Sequence, residues 1–196
     1  MKFPLRLGHD NSCGMREFPL AILFTLILLM AAPAACSAQS IWDDVQTEWD
    51  EIYAGNSELY LPFHTWHNRS TYTPQQIANF NENPWGMGYG KGIQDERHNW
   101  RGVFVMAFQD SHSQTEWMSG YARTWSLAYG EDWHLGGGYA AVVSLRQDVN
   151  NYHLPILAVT PLLSAGAGRF SVLLSYVPRF LGRHGDVAFF VGKVTF

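Results

Sequence analysis

Charge, cysteine and long apolar runs are all scarce in this 196-residue chain, and each shortage removes a class of protein. Asp, Glu, Lys and Arg make up 15% of it, well under the ~25% of ordinary soluble domains. Apolar residues reach 47%, so disorder is excluded: there is ample surface to bury and little charge to keep the chain solvated. Thirteen Lys and Arg stand against 17 Asp and Glu, a net charge of −4, which leaves no basic surface to displace counterions from nucleic acid. The longest apolar stretch, FPLAILFTLILLM at 18–30, has 13 residues where a membrane-spanning helix needs about 20. Two cysteines occur, Cys13 and Cys36. Both precede the region that reads as the mature protein, which removes disulfides, thiolate nucleophiles and cysteine-held metal from it.

Residues 1–38 read as an export signal: Arg16 is the positive flank, Phe18 to Met30 the apolar segment, and Ala31 to Ala38 a small-residue cleavage zone. A start at Met15 in place of Met1 makes a more ordinary signal, and the sequence leaves both open. A lipoprotein signal ending at Cys36 is a second reading, although PAAC lacks the Leu usual three positions earlier. Cleavage after Ala38 leaves one domain over 39–196. The leader carries Lys2, Arg6 and Arg16 against Asp10 and Glu17, so the mature chain is one charge more negative than the whole.

What the chain does have is eight Trp, nine Tyr, 12 Phe and 18 Gly, the mixture of interfacial aromatics and close-approach residues found in membrane barrels. Ile41, Val45, Trp49 and Ile52 recur at helical spacing with Asp43, Asp44, Glu48 and Glu51 between them, predicting a short amphipathic helix at about 41–54, ended by Gly55. It either packs on the domain or lies at an interface beside a barrel, and apolar burial is expected to hold it in both cases. Beyond it the helical period stops. Turn-rich clusters separate eight extended segments, about 59–69, 84–92, 100–109, 116–126, 133–145, 153–164, 168–178 and 186–196. Each approaches the ~9–11 residues of a tilted membrane-crossing strand. The expected fold is all-β: an eight-stranded antiparallel transmembrane β-barrel over about 59–196, preceded by the helix. The last segment places Phe190, Gly192, Val194 and Phe196 on one face and Lys193 and Thr195 on the other. Val103 to Phe108 is apolar on both faces, which implies a dry lumen. That lumen is either plugged by its own side chains or a pocket for a hydrocarbon chain, with room left by Gly86, Gly88, Gly90, Gly120 and Ala122.

Seven histidines follow the leader, and no pair has convincing metal-ligand spacing; His64 and His67, three apart on a strand, face opposite sides. No metal and no cofactor is expected. Gly86-Met87-Gly88-Tyr89-Gly90 resembles a phosphate loop only superficially, because no helix follows it. His67 ends the first strand and Asp110-Ser111 the third. Those strands run in the same direction, so all three residues are predicted at one rim. A histidine there can act as general base and a carboxylate can orient it; solvated turn residues are the alternative.

Four segments carry a resemblance: LYLPFHTWH at 59–67, NENPWGMGYG at 81–90, DERHNWRGVFVMAFQDS at 95–111 and EDWHLGGGYAA at 131–141. PLLSAGAG at 161–168, SYVP at 175–178 and the terminal Phe add weaker matches. With TWH and AFQDS about 43 residues apart, the chain resembles the outer-membrane lipid A palmitoyltransferases of the PagP type over essentially its whole mature length. The resemblance implies transfer of an acyl chain, palmitate or slightly shorter, from the sn-1 position of a phospholipid donor to a lipid A acceptor. It places the reaction in the Gram-negative outer membrane, at the outer-leaflet side, in a barrel delivered by the barrel-assembly machinery. A closed barrel has no free edge, so a monomer or weak homodimer is expected. The family's essential polar residues fall on His67, Asp110 and Ser111: candidate general base, its electrostatic partner and a polar catalytic group. Pro62, Pro84, Pro161 and Pro178 match places where missing ladder donors admit lipid sideways. Asp95 and Arg146 match a possible ionic latch. The acyl-pocket floor falls on Ala122, Met87, Gly88 and Gly120, and two of these depart from the family, which has Gly at Ala122 and often at Met87. The rival functions are a non-catalytic barrel of adhesin or stress-resistance type and a phospholipase that passes the acyl chain to water.

Overall fold

The structure, a computed structural model, describes residues 41–145, 155–179 and 185–196; the leader lies outside them. A helix α1 spans 41–54. Eight strands follow: β1 Asn56–His67, β2 Gly86–Gln94, β3 Trp100–Gln109, β4 Thr115–Tyr129, β5 Trp133–Leu145, β6 Pro155–Ala167, β7 Phe170–Val177 and β8 Val187–Thr195, with a short helix α2 at Pro74–Ala78 between β1 and β2. Each strand pairs antiparallel with its sequence neighbour, and β8 returns to β1 from Glu58↔Thr195 to His67↔Val187, so the sheet closes into a barrel. The expected eight-stranded barrel is present. The turns at the end that carries Asn56 and Phe196 are short, and the connections at the opposite end are long.

Strand alternation sorts the aromatics. Trp66, Trp85 and Trp117 are exposed toward the long-loop end, and Trp125, Tyr129, Trp133, Phe170 and Phe196 toward the short-turn end. Between these girdles the outward face carries Val105, Leu157, Val159, Leu163 and Val172. Trp117 and Trp125 are eight residues apart on β4, about 27 Å along a tilted strand, the scale of the ~25 Å apolar band of a membrane barrel.

The barrel body begins at Thr47, so the second half of α1 belongs to it. Ile52 is 1% exposed, yet Trp49 is 55% exposed and Tyr53 also faces outward. The acidic side adds polar contacts that the sequence did not show: Tyr121 Oη donates to Glu48 Oε1 at 2.8 Å, Arg101 and Arg123 lie within ion-pair distance of Glu48, and Arg101 also bonds Glu51. The reason lies in the register. Arg101 and Arg123 are direct cross-strand partners, and like charges so placed repel; Glu48 stands against both. Gly55 permits the turn into β1, since a Cβ there would come within 2.5 Å of the Gly92 carbonyl oxygen.

Inside, register stacks the lumen in rows. Gly92, Gly102, Ala122, Ala140 and Thr160 form a row of small residues, with Gly90, Phe104, Gly120 and Val142 in the next row toward the long loops. Phe108 and Phe189 meet across the barrel at 4.9 Å between ring centroids. At the short-turn end sits a buried polar cluster: Tyr60 Oη donates to Glu58 Oε2 at 2.6 Å, Trp100 Nε1–H and Lys193 Nζ each donate to Glu58 Oε1 at 2.8 Å, and the Lys193 ammonium lies 4.0 Å from the Trp100 ring centre. Glu58 and Lys193 are both almost wholly buried.

Lys193→Met is expected to destabilise the barrel by about 3–5 kcal/mol, because Glu58 would remain as an uncompensated buried charge. Adding Glu58→Leu should recover most of the loss. Urea unfolding in detergent, followed by Trp fluorescence, measures both. Unchanged stability of the single variant would show that the pair does not hold this end.

Candidate active site

Alternation turns Thr65 and His67 into the barrel at the end of β1, while Trp66 points out. The β3–β4 turn brings the second group. Asp110 Oδ1 accepts the backbone N–H of His112 and of Gln114, both at 2.8 Å, in an Asx-type turn with Ser113 at φ 61°. This leaves Ser111 facing β1. His67 Nε2 and Ser111 Oγ lie 2.9 Å apart. His67, Asp110 and Ser111 thus meet at the long-loop rim, where strand direction predicted them.

The β1–β2 connection completes the site. Thr73 caps α2 reciprocally with Gln76, and Pro74 opens it. The chain then returns between β1 and β3: Thr65 N–H donates to Glu82 O at 2.9 Å and Asn81 N–H to Ser111 O at 2.8 Å. Glu82 Oε1 lies 3.0 Å from His67 Nδ1 and accepts the His67 backbone N–H at 3.1 Å. Arg69 donates to both carboxylate oxygens of Glu82 and, at 2.7 Å, to the His67 carbonyl. Phe80 stacks on the His67 ring at 4.4 Å, with Tyr72 edge-on at 5.5 Å. Tyr72 is tied by its hydroxyl to Gly185 O at 2.6 Å, and Thr71 to Asp186 Oδ2 at 2.7 Å. Glu82 was not singled out from the sequence. Its one signal there is its place in the NENPW run just before β2, and no periodicity shows that this run folds back over His67.

The four prolines flank breaks in the ladder. Pairing of β1 with β2 ends at Tyr60↔Gly88, and the next backbone bond between their chains is Thr65 to Glu82. Pro62 and Pro84 fall between, and on its other side β1 shifts register against β8 between Pro62 and His64. Pairing of β6 with β7 ends at Leu162↔Ser175, leaving Pro161 and Pro178 beyond it. There Ser175 Oγ donates to Thr160 Oγ1 at 2.7 Å.

Of the pocket-floor candidates, Gly88, Gly120 and Ala122 lie on the inward face, with Ala122 1% exposed in the small-residue row. A Cβ on Gly88 would meet Met106 Cβ at 2.5 Å. Met87 is corrected: it is 63% exposed, because odd-numbered residues of β2 point outward. The latch of Asp95 with Arg146 lies partly outside the described residues. Asp95 caps the short β2–β3 turn, accepting from the backbone N–H groups of Arg97 and Asn99 at 2.9 Å. Arg146 is outside the described residues. Spacing also did not reveal that His98 and His134 stack, with ring centroids 5.7 Å apart, at the short-turn end.

A hydroxyl hydrogen-bonded to an imidazole, with a carboxylate on the far ring nitrogen and an apolar lumen beneath, suits acyl transfer between oxygens. Comparison with known proteins agrees with that chemistry. A family model described as "Antimicrobial peptide resistance and lipid A acylation protein PagP" matches residues 44–193. Proteins named lipid A acyltransferase PagP are similar along most of the chain. That of Methylobacillus flagellatus is 37% identical over 185 residues, 93% of this chain and 100% of the relative. That of Bordetella bronchiseptica is 36% identical over 187 residues, again 93% and 100%. That of Pantoea ananatis is 38% identical over 166 residues, 82% and 85%.

The Arg69 guanidinium, bonded to both oxygens, holds the Glu82 carboxyl down to about 2. A carboxyl held below its ordinary 4.5 contributes stability above that pH and loses it as pH falls through about 2. Carbon-13 titration of the Glu82 carboxyl should therefore give a midpoint near 2. A midpoint near 4.5 would show that the ion pair is open in solution.

Proposed function

This chain belongs to the PagP family, and on that premise we propose that it moves an acyl chain from the sn-1 position of a phospholipid to a hydroxyl of lipid A. It is an outer-membrane lipid A acyltransferase. Family membership sets aside the non-catalytic barrel. The observation that carries the donor and site assignments is the 2.9 Å contact of His67 Nε2 with Ser111 Oγ at the rim of an apolar lumen.

In this reading the donor's acyl chain lies in the lumen, with its ester at the rim. His67 accepts the proton of the attacking hydroxyl as a new ester bond forms at the acyl carbonyl. The bond from that carbonyl to the glycerol oxygen then breaks, and the glycerol oxygen leaves with the proton returned by His67. Ser111 holds the imidazole and the reacting oxygens in register, and Asp110 supplies negative charge beside them while shaping the turn. Lipid enters sideways where Pro62 with Pro84 and Pro161 with Pro178 interrupt the ladder. The long-loop end faces the outer leaflet, as long loops do in outer-membrane barrels. Phospholipid hydrolysis is the same chemistry with water as acceptor, and the reaction products separate the two.

Mass spectrometry of lipid A from cells with and without the protein is the test. A gain of one acyl chain is expected with wild type. His67→Ala, Asp110→Ala and Ser111→Ala should each lose it while remaining folded, since removal of a general base costs ~10²–10⁴-fold. Free fatty acid without acylated lipid A would assign hydrolysis instead.

Chain length is read by the small-residue row. The Ala122 methyl raises the lumen floor by about one carbon relative to glycine in a close-packed interior. Wild type should accept chains slightly shorter than palmitate, and Ala122→Gly should shift the preference upward when 14-, 15- and 16-carbon donors compete. Identical profiles for the two proteins would show that Ala122 is not the floor.

A further inference from the structure

Glu82 has more hydrogen bonds to the His67 unit than a loop anchor requires. Its Oε1 accepts the backbone N–H of His67 at 3.1 Å and sits 3.0 Å from Nδ1 of the same residue. One carboxylate oxygen thus reads both the main chain and the ring, which fixes the ring's rotation about its side-chain bonds. Phe80, stacked at 4.4 Å, blocks the remaining movement. His67 is 2% exposed and Glu82 17%, so little water competes for these contacts.

The protonation pattern follows from donor counting. An ionised carboxylate only accepts, so the ring nitrogen beside Glu82 must carry the hydrogen. A neutral imidazole then has its lone pair on Nε2, the nitrogen 2.9 Å from Ser111 Oγ. Arg69 keeps the carboxylate ionised and aimed by binding both of its oxygens from the outer side. The pattern matches the general logic in which a buried acid orients a catalytic histidine.

We infer that Glu82 is the positioning residue of the acyl transfer, fixing the His67 proton on Nδ1 so that Nε2 faces the reacting hydroxyl as base. This rests on the acyl-transfer reading of His67. Asp110, adjacent to Ser111 in sequence, directs Oδ1 to backbone donors of its own turn; the carboxylate on the ring comes from a different connection.

The experiment uses the full barrel in detergent, with phosphatidylethanolamine as donor and lipid A as acceptor. Glu82→Leu keeps the bulk and removes the acceptor; its kcat should fall by about 10²–10³-fold, with KM changing less than about twofold because no donor or acceptor contact is lost. Arg69→Met removes the guanidinium that aims the carboxylate but leaves the carboxylate itself, so it should lower kcat by less than Glu82→Leu does. In His67→Ala the further change Glu82→Leu should cost nothing, since Glu82 acts through the ring. Nitrogen-15 spectra of His67 should show the Nδ1–H tautomer in wild type and a shift toward Nε2–H in Glu82→Leu. A fall in kcat with an unchanged tautomer, an additional loss in the double variant, or a wild-type kcat in Glu82→Leu each overturns the inference. Should Glu82→Leu not fold, the wild-type spectrum decides alone, and an Nε2–H ring overturns it. His67→Ala with full transfer would instead sink the acyl-transfer reading itself.

Discussion

The barrel is governed by the requirement that backbone N–H and C=O groups be satisfied within the sheet wherever lipid surrounds it. Closure of β8 onto β1 meets that requirement without leaving an edge. An opening in such a wall is costly unless the groups that would have bonded are already missing. Proline lacks the donor, and Pro62 and Pro84 sit within the interruption between β1 and β2 while Pro161 and Pro178 flank the one between β6 and β7. The first interruption is closed above by the Thr65–Glu82 backbone bond. The same residue that frames this opening therefore carries the carboxylate on His67, so the position of the site follows from where the ladder is allowed to stop.

Among the described residues, the buried ionisable groups of the lumen gather toward its two ends. At the short-turn end, Glu58, Lys193, Tyr60 and Trp100 satisfy one another, which makes the burial of two charges tolerable although not a source of net stability. At the rim, Glu82, His67, Arg69 and Ser111 do the same. Between them lie Phe104, Met106, Phe108, Leu162, Leu173 and Val191 with the small residues of β2 and β4. The middle of the lumen is thereby left to apolar side chains, with the charged groups held at the two ends by their own partners.

Much of this was legible because a strand's period of two is strict. Turn-rich clusters mark the eight segments, alternation groups Gly120 and Ala122 on one face of β4, and strand direction puts His67, Asp110 and Ser111 at a common rim. The misses have physical causes. Met87 was placed at the pocket floor by the family resemblance, whereas its parity on β2 turns it outward. For α1 the sequence left packing on the domain and lying at an interface both open, because helical spacing does not show that Arg101 and Arg123 on the barrel's outer wall attract its acidic side. Glu82 was invisible because its placement depends on how an 18-residue connection folds back, through the Thr73–Gln76 cap, the Tyr72 and Phe80 rings and the Thr65 bond, and local pattern does not encode that path.

The two acidic residues at the rim bond different groups. Asp110 and Ser111 are adjacent, so a carboxylate for His67 was sought there. A short side chain beginning an Asx turn finds backbone N–H groups two and four residues on before it can reach across the barrel mouth, and Asp110 Oδ1 bonds His112 and Gln114 accordingly. Glu82 has one more methylene and approaches from the β1 side, where the His67 N–H and Nδ1 present two donors to one oxygen. The turn needs a carboxylate close to its own backbone; the imidazole needs one delivered from a separate segment. One residue cannot satisfy both geometries with the same oxygen, and the fold divides the tasks between two.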